Sequence, residues 1–334
     1  MKHGGDLGAA MARHGGILTD WLDLSTGINP HAYPVPDDLG AHVWTALPSA
    51  SALERLLSAA RGAYQVPAEL DLVAAPGTQS LISLLPRFLP DGEVAIIGPT
   101  YGSHADVWRR AGRVLREVTS PNIDIDPTIR VAVLVNPNNP DGRLADPKTV
   151  RHLASTLAAR GGLLIVDEAF ADCIPGASVL PHLQGTPALV LRSFGKFYGL
   201  AGLRLGFAAA PPRLANTLTL ALESWAVSGP ALAIGARALE DTEWQRAMQA
   251  RLADEAAEMT VSLQMRGLGI FGGTPLFLLA GTRDAARVQE ALARQRIWTR
   301  IFDYAPSWIR LGLPGGADGL ARLEHALDHA MTET

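Results

Sequence analysis

The sequence predicts an α/β fold in which a mostly parallel, helix-covered central sheet is followed by a smaller α+β domain. Short apolar runs rich in β-branched residues alternate with amphipathic segments between residues 36 and 230, a pattern typical of parallel sheets. From about residue 230 onwards, one long helical pattern precedes a set of short strands and helices. We therefore expect three parts: an N-terminal arm (1–35), a large α/β domain (36–230) and a small C-terminal α+β domain (231–334).

The individual elements follow from apolar runs and helical periodicity. The predicted strands of the large domain are 94–97, 131–135, 163–166, 188–191 and 206–209. Its predicted helices are 51–64, 78–89, 103–111 and 146–160. In the small domain a single helix over 231–266 ends at Gly267. The segments that follow it are predicted strands at 276–279, 298–302 and 308–311 and predicted helices at 284–295 and 320–331.

The composition excludes several classes of protein. Of the 334 residues, 48% are hydrophobic and 19% charged, with a formal net charge of −4, so neither disorder nor nucleic-acid binding is indicated. The single cysteine, Cys173, excludes a disulfide framework and fits a cytoplasmic location. No apolar run approaches the roughly 20 residues of a membrane helix. His325 and His329 have a spacing that metal ligands can have, but no third ligand accompanies them, so no metal site is predicted.

A lysine with anion-binding neighbours is the first candidate for chemistry. The chain has only three lysines, and Lys196 follows a predicted strand, with Ser193 before it and Arg204 after it. An amine beside a hydroxyl and a guanidinium suits a Schiff base formed next to an anionic group. Taken alone, the segment also fits a surface lysine on a glycine-rich loop.

Further candidates lie where other predicted strands end. Asp167 follows the apolar strand 163–166, at the edge where open α/β sheets bind ligands, and its carboxylate can pair with a protonated pyridine nitrogen. Gly77 and Thr78 lie between a strand and a helix, where backbone N–H groups can bind a phosphate. Asn139 lies in the Asn/Pro-rich turn after another strand. Each of these segments also fits an ordinary capped turn.

Together, the segments NPNNP, DEAF, SFGK and GLRLGF, in this order, resemble the fold-type I pyridoxal phosphate (PLP)-dependent enzymes of the histidinol-phosphate aminotransferase-like branch. The resemblance covers nearly the whole chain and implies PLP as the cofactor. It implies that Lys196 binds PLP covalently, that Asp167 contacts the pyridine nitrogen and that Asn139 contacts the phenolic oxygen.

The same resemblance implies the remaining contacts. Tyr101 would stack on the cofactor ring, and Arg310 would bind the substrate carboxylate with a two-pronged contact. The protein would be a homodimer with its active sites at the subunit boundary. The residues that would hold the cofactor phosphate are Gly77, Thr78, Ser193 and Arg204.

The N-terminal segment bears on the reaction. His3-Gly4-Gly5-Asp6, followed by LDLSTGINP at 22–30, resembles the opening of the threonine-phosphate decarboxylases of cobalamin biosynthesis. The resemblance implies decarboxylation of L-threonine O-3-phosphate to (R)-1-amino-2-propanol O-phosphate, with the arm assisting in recognition of the substrate phosphate. The substrate-binding residues that it implies are His3, Gly4, Asn29 and Arg310.

Two other residues agree with the decarboxylase pattern, and two depart from it. Phe170 stands where many aminotransferases have a tyrosine, and Trp244 also matches the decarboxylases. Asp6 replaces an asparagine, and Ala52 replaces a tyrosine that reaches the partner subunit's cofactor phosphate. The alternatives are an aminotransferase acting on histidinol phosphate or another amino acid, and a PLP-binding protein without turnover.

Overall fold

The computed structural model describes residues 4–121 and 126–332, so the predicted substrate residue His3 lies outside the described residues. The described residues form two compact units. The central unit comprises residues 33–121, 126–139 and 143–245. The terminal unit comprises residues 4–32, 140–142 and 246–332.

Helices and strands alternate along most of the chain. The helices of the described residues are α1 (Gly8–His14), α2 (His42–Thr45), α3 (Ala50–Ala63), α4 (Thr78–Leu84), α5 (Gly102–Arg110), α6 (Pro147–Ala158), α7 (Phe194–Phe197), α8 (Pro212–Leu222), α9 (Gly229–Glu240), α10 (Thr242–Met265), α11 (Ala285–Arg294) and α12 (Ala317–Thr332). The strands are β1 (Leu22–Asp23), β2 (Asp71–Ala75), β3 (Glu93–Ile97), β4 (Leu115–Val118), β5 (Ile129–Val135), β6 (Leu163–Asp167), β7 (Ala188–Ser193), β8 (Gly206–Ala210), β9 (Gly269–Thr274), β10 (Phe277–Gly281), β11 (Ile297–Trp298), β12 (Arg300–Phe302) and β13 (Ala305–Gly312).

The central unit is built on a seven-stranded sheet with the order β2-β8-β7-β6-β5-β3-β4. Only β8 runs antiparallel to its neighbours, so the predicted mostly parallel sheet is confirmed. Strands β6 and β8 are buried at every residue because helices cover both faces of such a sheet. On one face, Leu81 and Trp108 of the covering helices belong to the same buried cluster as Val131 and Ile165 of the sheet.

The register of the sheet brings functional loops to one edge. In the parallel ladder Val135 lies opposite Asp167, and Asp167 lies opposite Leu191. The carboxyl ends of β5, β6 and β7 therefore meet at one edge, and the segments that follow them start side by side.

The terminal unit contains a four-stranded antiparallel sheet with the order β12-β13-β10-β9. A separate short parallel pair joins β1 to β11. Helices α11 and α12 pack against each other, and α11 also contacts β13. The predicted α+β arrangement of the C-terminal segment is confirmed.

The two units differ from the predicted division at both boundaries. Residues 4–32 group with the C-terminal segment instead of forming a separate arm, since Leu22 of β1 pairs with Ile297 of β11. The central unit continues past residue 230 to Gln245, because α9 packs along α3.

The predicted helix 231–266 is wrong in one respect, because the structure has two helices with a break at Asp241. The Asp241 backbone has non-helical angles (φ −84°, ψ 77°), and its Oδ1 accepts a hydrogen bond from the Trp244 N–H at 3.0 Å. An aspartate that accepts from the third residue of the following segment is a typical N-cap, so it starts a new helix. The predicted strand 298–302 is likewise divided between β11 and β12. The elements that were not predicted are α1, α2, α7, α8, β1, β4 and β9.

Candidate active site

The eight residues expected to bind the cofactor all line one cavity of the central unit, at the carboxyl edge of its sheet. They are Gly77, Thr78, Tyr101, Asn139, Asp167, Ser193, Lys196 and Arg204. They come from five separate segments of the chain, which the register of the sheet brings together. The structure thus assembles the predicted set, while the role of each member stays a prediction.

Asp167 ends β6 and is buried at the cavity wall. Its Oδ2 lies 2.8 Å from Nε2 of His104, and its Oδ1 accepts a hydrogen bond from the Ala169 N–H at 3.1 Å. Both oxygens are therefore held in place. His104, a buried residue of α5, was not among the predicted site residues. The sequence feature that could have indicated it is its position, three residues after the predicted site residue Tyr101 and within the predicted helix 103–111.

Lys196 lies on the one-turn helix α7, directly after β7. Its Nζ lies 5.9 Å from the centre of the Phe170 ring, which also lines the cavity. Behind α7, the Tyr198 ring stacks between Phe194 at 4.2 Å and Trp244 at 5.6 Å. Trp244 therefore has a packing role, supporting the turn that carries the lysine.

The residues predicted to bind a phosphate lie where β2 meets α4. Gly77 has φ of +79°, and a Cβ there would lie 2.6 Å from Nη2 of Arg204, so a side chain would displace the guanidinium. Gly206 likewise lies against the start of α4, because a Cβ on Gly206 would be 2.5 Å from the backbone nitrogen of Thr78. Two glycines thus let Arg204 and the first N–H groups of α4 lie close together, as an anion site requires.

Tyr101 and Asn139 complete the cavity wall. The Tyr101 hydroxyl donates to Oε1 of Gln79 at 3.2 Å, which holds the ring in position. The loop containing Asn139 is held by its other asparagines. Asn136 Oδ1 accepts from the Ala145 N–H at 2.8 Å, and Asn138 Nδ2 donates to the Pro99 carbonyl at 3.0 Å.

A buried ionic network lies immediately behind the cavity and was not predicted. Arg192 donates to Glu168 Oε2 at 2.6 Å and also pairs with Asp172. Glu168 further accepts from the Ser178 hydroxyl at 2.6 Å.

Burial raises the pKa of Glu168 despite its arginine partner. Burial opposes the charge of Arg192, yet the Asp172 and Glu168 carboxylates raise the pKa of its guanidinium above the usual range. Because Glu168 follows Asp167 and Arg192 precedes Ser193, the network ties the ends of β6 and β7 together.

The other predicted substrate residues belong to the terminal unit. Arg310 of β13 is buried, and its Nη2 donates to the Ser25 carbonyl at 2.7 Å. Gly4 packs against the same carbonyl, which would lie 2.3 Å from a Cβ on Gly4. Asn29 is buried, and its Oδ1 accepts from the His31 N–H at 2.8 Å. Asp6 accepts from the Gly8 N–H at the start of α1, which is a local turn contact.

A second arginine, which was not among the predicted site residues, lies beside Arg310. Arg300 lies directly opposite Arg310 in the antiparallel pairing of β12 and β13. Burial, and then the neighbouring Arg300 charge, lower the pKa of Arg310 to about 10. Two like charges on facing residues destabilise each other unless an anion is present. The pair therefore suits a ligand that carries more than one negative charge.

Neither a membrane-spanning helix nor a metal site is found in the described part of the chain. Among residues 4–121 and 126–332, no helix combines the length and hydrophobicity needed to cross a membrane. The same ranges contain no group of three His, Cys, Asp or Glu side chains arranged as metal ligands.

Known proteins resemble this chain in both sequence and fold. Residues 45–329 match the model of a family described as aminotransferase class I and II. A threonine-phosphate decarboxylase of Sinorhizobium sp. is 44% identical over 97% of this chain and 97% of its own. One of Pseudomonas aeruginosa is 38% identical over 98% of this chain and 97% of its own. A solved structure with a similar fold is the histidinol-phosphate aminotransferase of Sinorhizobium meliloti in complex with pyridoxal 5'-phosphate. It superposes with a TM-score of 0.81 at 20% sequence identity, over 98% of this chain and 94% of that one.

Proposed function

We propose that this chain, which belongs to the aminotransferase class I and II family, decarboxylates L-threonine O-3-phosphate. The product would be (R)-1-amino-2-propanol O-phosphate, an intermediate of cobalamin biosynthesis. The observation that carries the proposal is the near-full-length similarity to relatives named threonine-phosphate decarboxylase.

The residues around the cavity fit PLP. They include an amine at Lys196, a buried carboxylate at Asp167 and a guanidinium at Arg204. The lack of a side chain at Gly77 keeps a pocket open beside that guanidinium, which suits a phosphate. When bound, PLP withdraws the electron pair of the bond that breaks at the substrate Cα. Lys196 would hold it covalently, Asp167 would pair with its ring nitrogen, and Tyr101 and Asn139 would contact its ring and phenolic oxygen.

The substrate carries a carboxylate and a phosphate, and the terminal unit offers two arginines for two anionic groups. Arg310 and Asn29 would bind the carboxylate, and Arg300, on the facing strand, would bind the phosphate together with the N-terminal residues His3 and Gly4. A guanidinium suits both groups because it presents paired N–H donors. The arginine pair therefore supports a phosphorylated amino acid as the substrate.

Fixing the carboxylate also selects the bond that breaks. The Cα–carboxylate bond breaks most readily when it is perpendicular to the plane of the cofactor ring. Arg310 and Asn29, by holding the carboxylate out of that plane, would favour this bond over the Cα–H bond. Carbon dioxide leaves without the bonding electrons, and the Nζ of Lys196 would supply the proton that replaces it at Cα.

A homodimer and a cytoplasmic location are part of the proposal. The central unit has a groove lined by Leu53, Leu57 and Val73, with Leu220 and Trp225 on its rim. Those two residues are 70% and 61% exposed, and together with the apolar lining of the groove they form a contiguous apolar patch of the kind that a partner covers. Cys173 is the single cysteine of the sequence, and a chain with so few cysteines fits a reducing compartment.

The test is to mix purified holoenzyme with O-phospho-L-threonine and to measure carbon dioxide and 1-amino-2-propanol phosphate. A parallel assay with histidinol phosphate and 2-oxoglutarate tests the aminotransferase alternative. Stoichiometric carbon dioxide and amine are expected in the first assay. Keto-acid-dependent turnover in the second assay, with no carbon dioxide in the first, would replace this proposal with the alternative.

A further inference from the structure

A histidine–carboxylate pair of the terminal unit lies two residues from the predicted carboxylate ligand Asn29. The Nε2 of His31 lies 2.8 Å from Oε1 and 2.9 Å from Oε2 of Glu255, on α10. Arg251, one turn earlier on the same helix, donates to Glu255 Oε1 at 2.9 Å. The His31 and Glu255 side chains are only 15% and 14% exposed, so solvent weakens their contact little.

The backbone of His31 also determines which way the Asn29 amide faces. A backbone N–H can only donate, so the atom 2.8 Å from it must be the amide oxygen Oδ1. The Nδ2 group is then on the opposite side of the amide. A carboxylate accepts hydrogen bonds, so this is the orientation that a carboxylate ligand of Asn29 needs.

The position of the His31 N–H depends in turn on the His31 ring. The ring is bound to α10 through both oxygens of Glu255, which fixes the residue relative to a 24-residue helix. The turn from Asn29 to His31 contains Pro30, which restricts the backbone between the two. Movement of the ring would therefore be passed to the hydrogen bond that orients Asn29.

We propose that His31, held by Glu255, is a positioning residue that orients Asn29 for the substrate carboxylate. The proposal rests on the proposed function, since it takes a substrate carboxylate as the ligand of Asn29. It assigns His31 no contact with the substrate or the reacting atoms. Its distinctive consequence is that losing the His31 ring weakens only ligands that carry the carboxylate.

The experiment compares two ligands that differ by that group. Binding of O-phospho-L-threonine and of 1-amino-2-propanol phosphate to the holoenzyme is followed by the absorbance of the bound cofactor, recorded immediately after rapid mixing and before substrate is consumed. In His31→Ala we expect about tenfold weaker binding of phosphothreonine, which is about 1.4 kcal/mol, and unchanged binding of the amine. His31→Gln keeps an N–H donor at a similar reach and should recover most of the loss.

Two further variants define the pair. Glu255→Ala should reproduce the loss, and the double variant His31→Ala/Glu255→Ala should be no worse than either single one, because both act through one contact. His325→Ala, at an exposed histidine of α12 in the same unit, serves as the matched control and should change neither ligand.

The outcomes separate the two proposals. Equal weakening of both ligands in His31→Ala, or no weakening of either, overturns the positioning role, whether or not carbon dioxide is released. Absence of carbon dioxide from the wild type with the selective loss intact overturns decarboxylation alone. Absence of phosphothreonine binding in the wild type overturns both.

Discussion

The Nε2 of His104 lies 2.8 Å from Oδ2 of Asp167, and both residues are buried, Asp167 at the wall of the cavity of the central unit. The contact joins α5 to the end of β6, across 63 residues of sequence. It gives the carboxylate that would pair with the cofactor ring a fixed position and a second partner. The affinity of the site for PLP should therefore depend on a residue that does not line the cavity.

Replacing His104 by Phe is expected to weaken PLP binding by about tenfold or more. A hydrogen bond to a charged group contributes roughly 1.5–3 kcal/mol, and its loss leaves Asp167 less well held. The measurement is titration of the apoprotein with PLP. His104→Gln keeps a donor, so its affinity for PLP should be closer to that of the wild type. The control His152→Gln, at an exposed residue of α6, should have the affinity of the wild type. Unchanged affinity in His104→Phe would show that the contact only supports the fold.

Lys196→Ala is expected to remove the visible absorbance of covalently held cofactor and to abolish turnover. No other described lysine is placed to substitute, because Lys148 lies at the exposed start of α6. Lys148→Ala is the matched control and should keep both properties. A reducible adduct between PLP and the Lys196→Ala protein would contradict the assignment of the lysine.

Arg310→Lys is expected to lower kcat/KM for phosphothreonine by at least about tenfold, which is roughly 1.4 kcal/mol. A point charge replaces a planar group with two donors, so the carboxylate is held less well. The ratio of pyridoxamine phosphate formed to carbon dioxide released should rise as other bonds at Cα become accessible. If neither kcat/KM nor the ratio changes, Arg310 is a structural residue of β13 and the carboxylate binds elsewhere.

Leu220→Glu is expected to shift the protein from dimer to monomer and to reduce activity with it. A charge placed on the apolar rim opposes burial against a second subunit, and sites at a subunit boundary need association. Sedimentation velocity at the assay concentration measures the shift. Met265→Glu, at a side chain that is 81% exposed on α10, should have no effect. A wild type that is monomeric and fully active would rule out the proposed dimer.

The buried phenol of Tyr33 predicts a loss of stability at high pH. Its hydroxyl donates to Asp241 Oδ2 at 3.1 Å, and burial together with Asp241 raises the pKa of Tyr33 to about 12. Between pH 10 and 12 the unfolded phenol ionises while the folded one does not, so the stabilisation present below pH 10 is lost. The free energy of unfolding should fall in this window by at most about 3 kcal/mol more than in Tyr33→Phe. Denaturant titrations of both proteins test this, and parallel pH profiles would exclude the effect.

The sequence by itself determined the class of the fold and the membership of the cavity. Short apolar runs such as 163–166, alternating with helical segments, are typical of strands in a covered parallel sheet, and the polar residues that end such strands meet at one edge. Each of these polar residues taken alone also fits an ordinary turn, so the resemblance of the motifs around Asp167, Asn139 and Lys196 to PLP-dependent enzymes was needed to assign them to one site. The motifs around them also indicated the cofactor.

Only the tertiary structure decided which distant residues face each other. His104 meets Asp167, Arg300 lies opposite Arg310, and His31 binds Glu255 because of strand register and helix packing. The same packing joined the N-terminal segment to the terminal unit, and the carboxylate of Asp241 divided a helix that periodicity alone made continuous. Local patterns report which residues share a face of a helix or a strand. Pairing between elements depends on how whole faces fit together, and that information is not local.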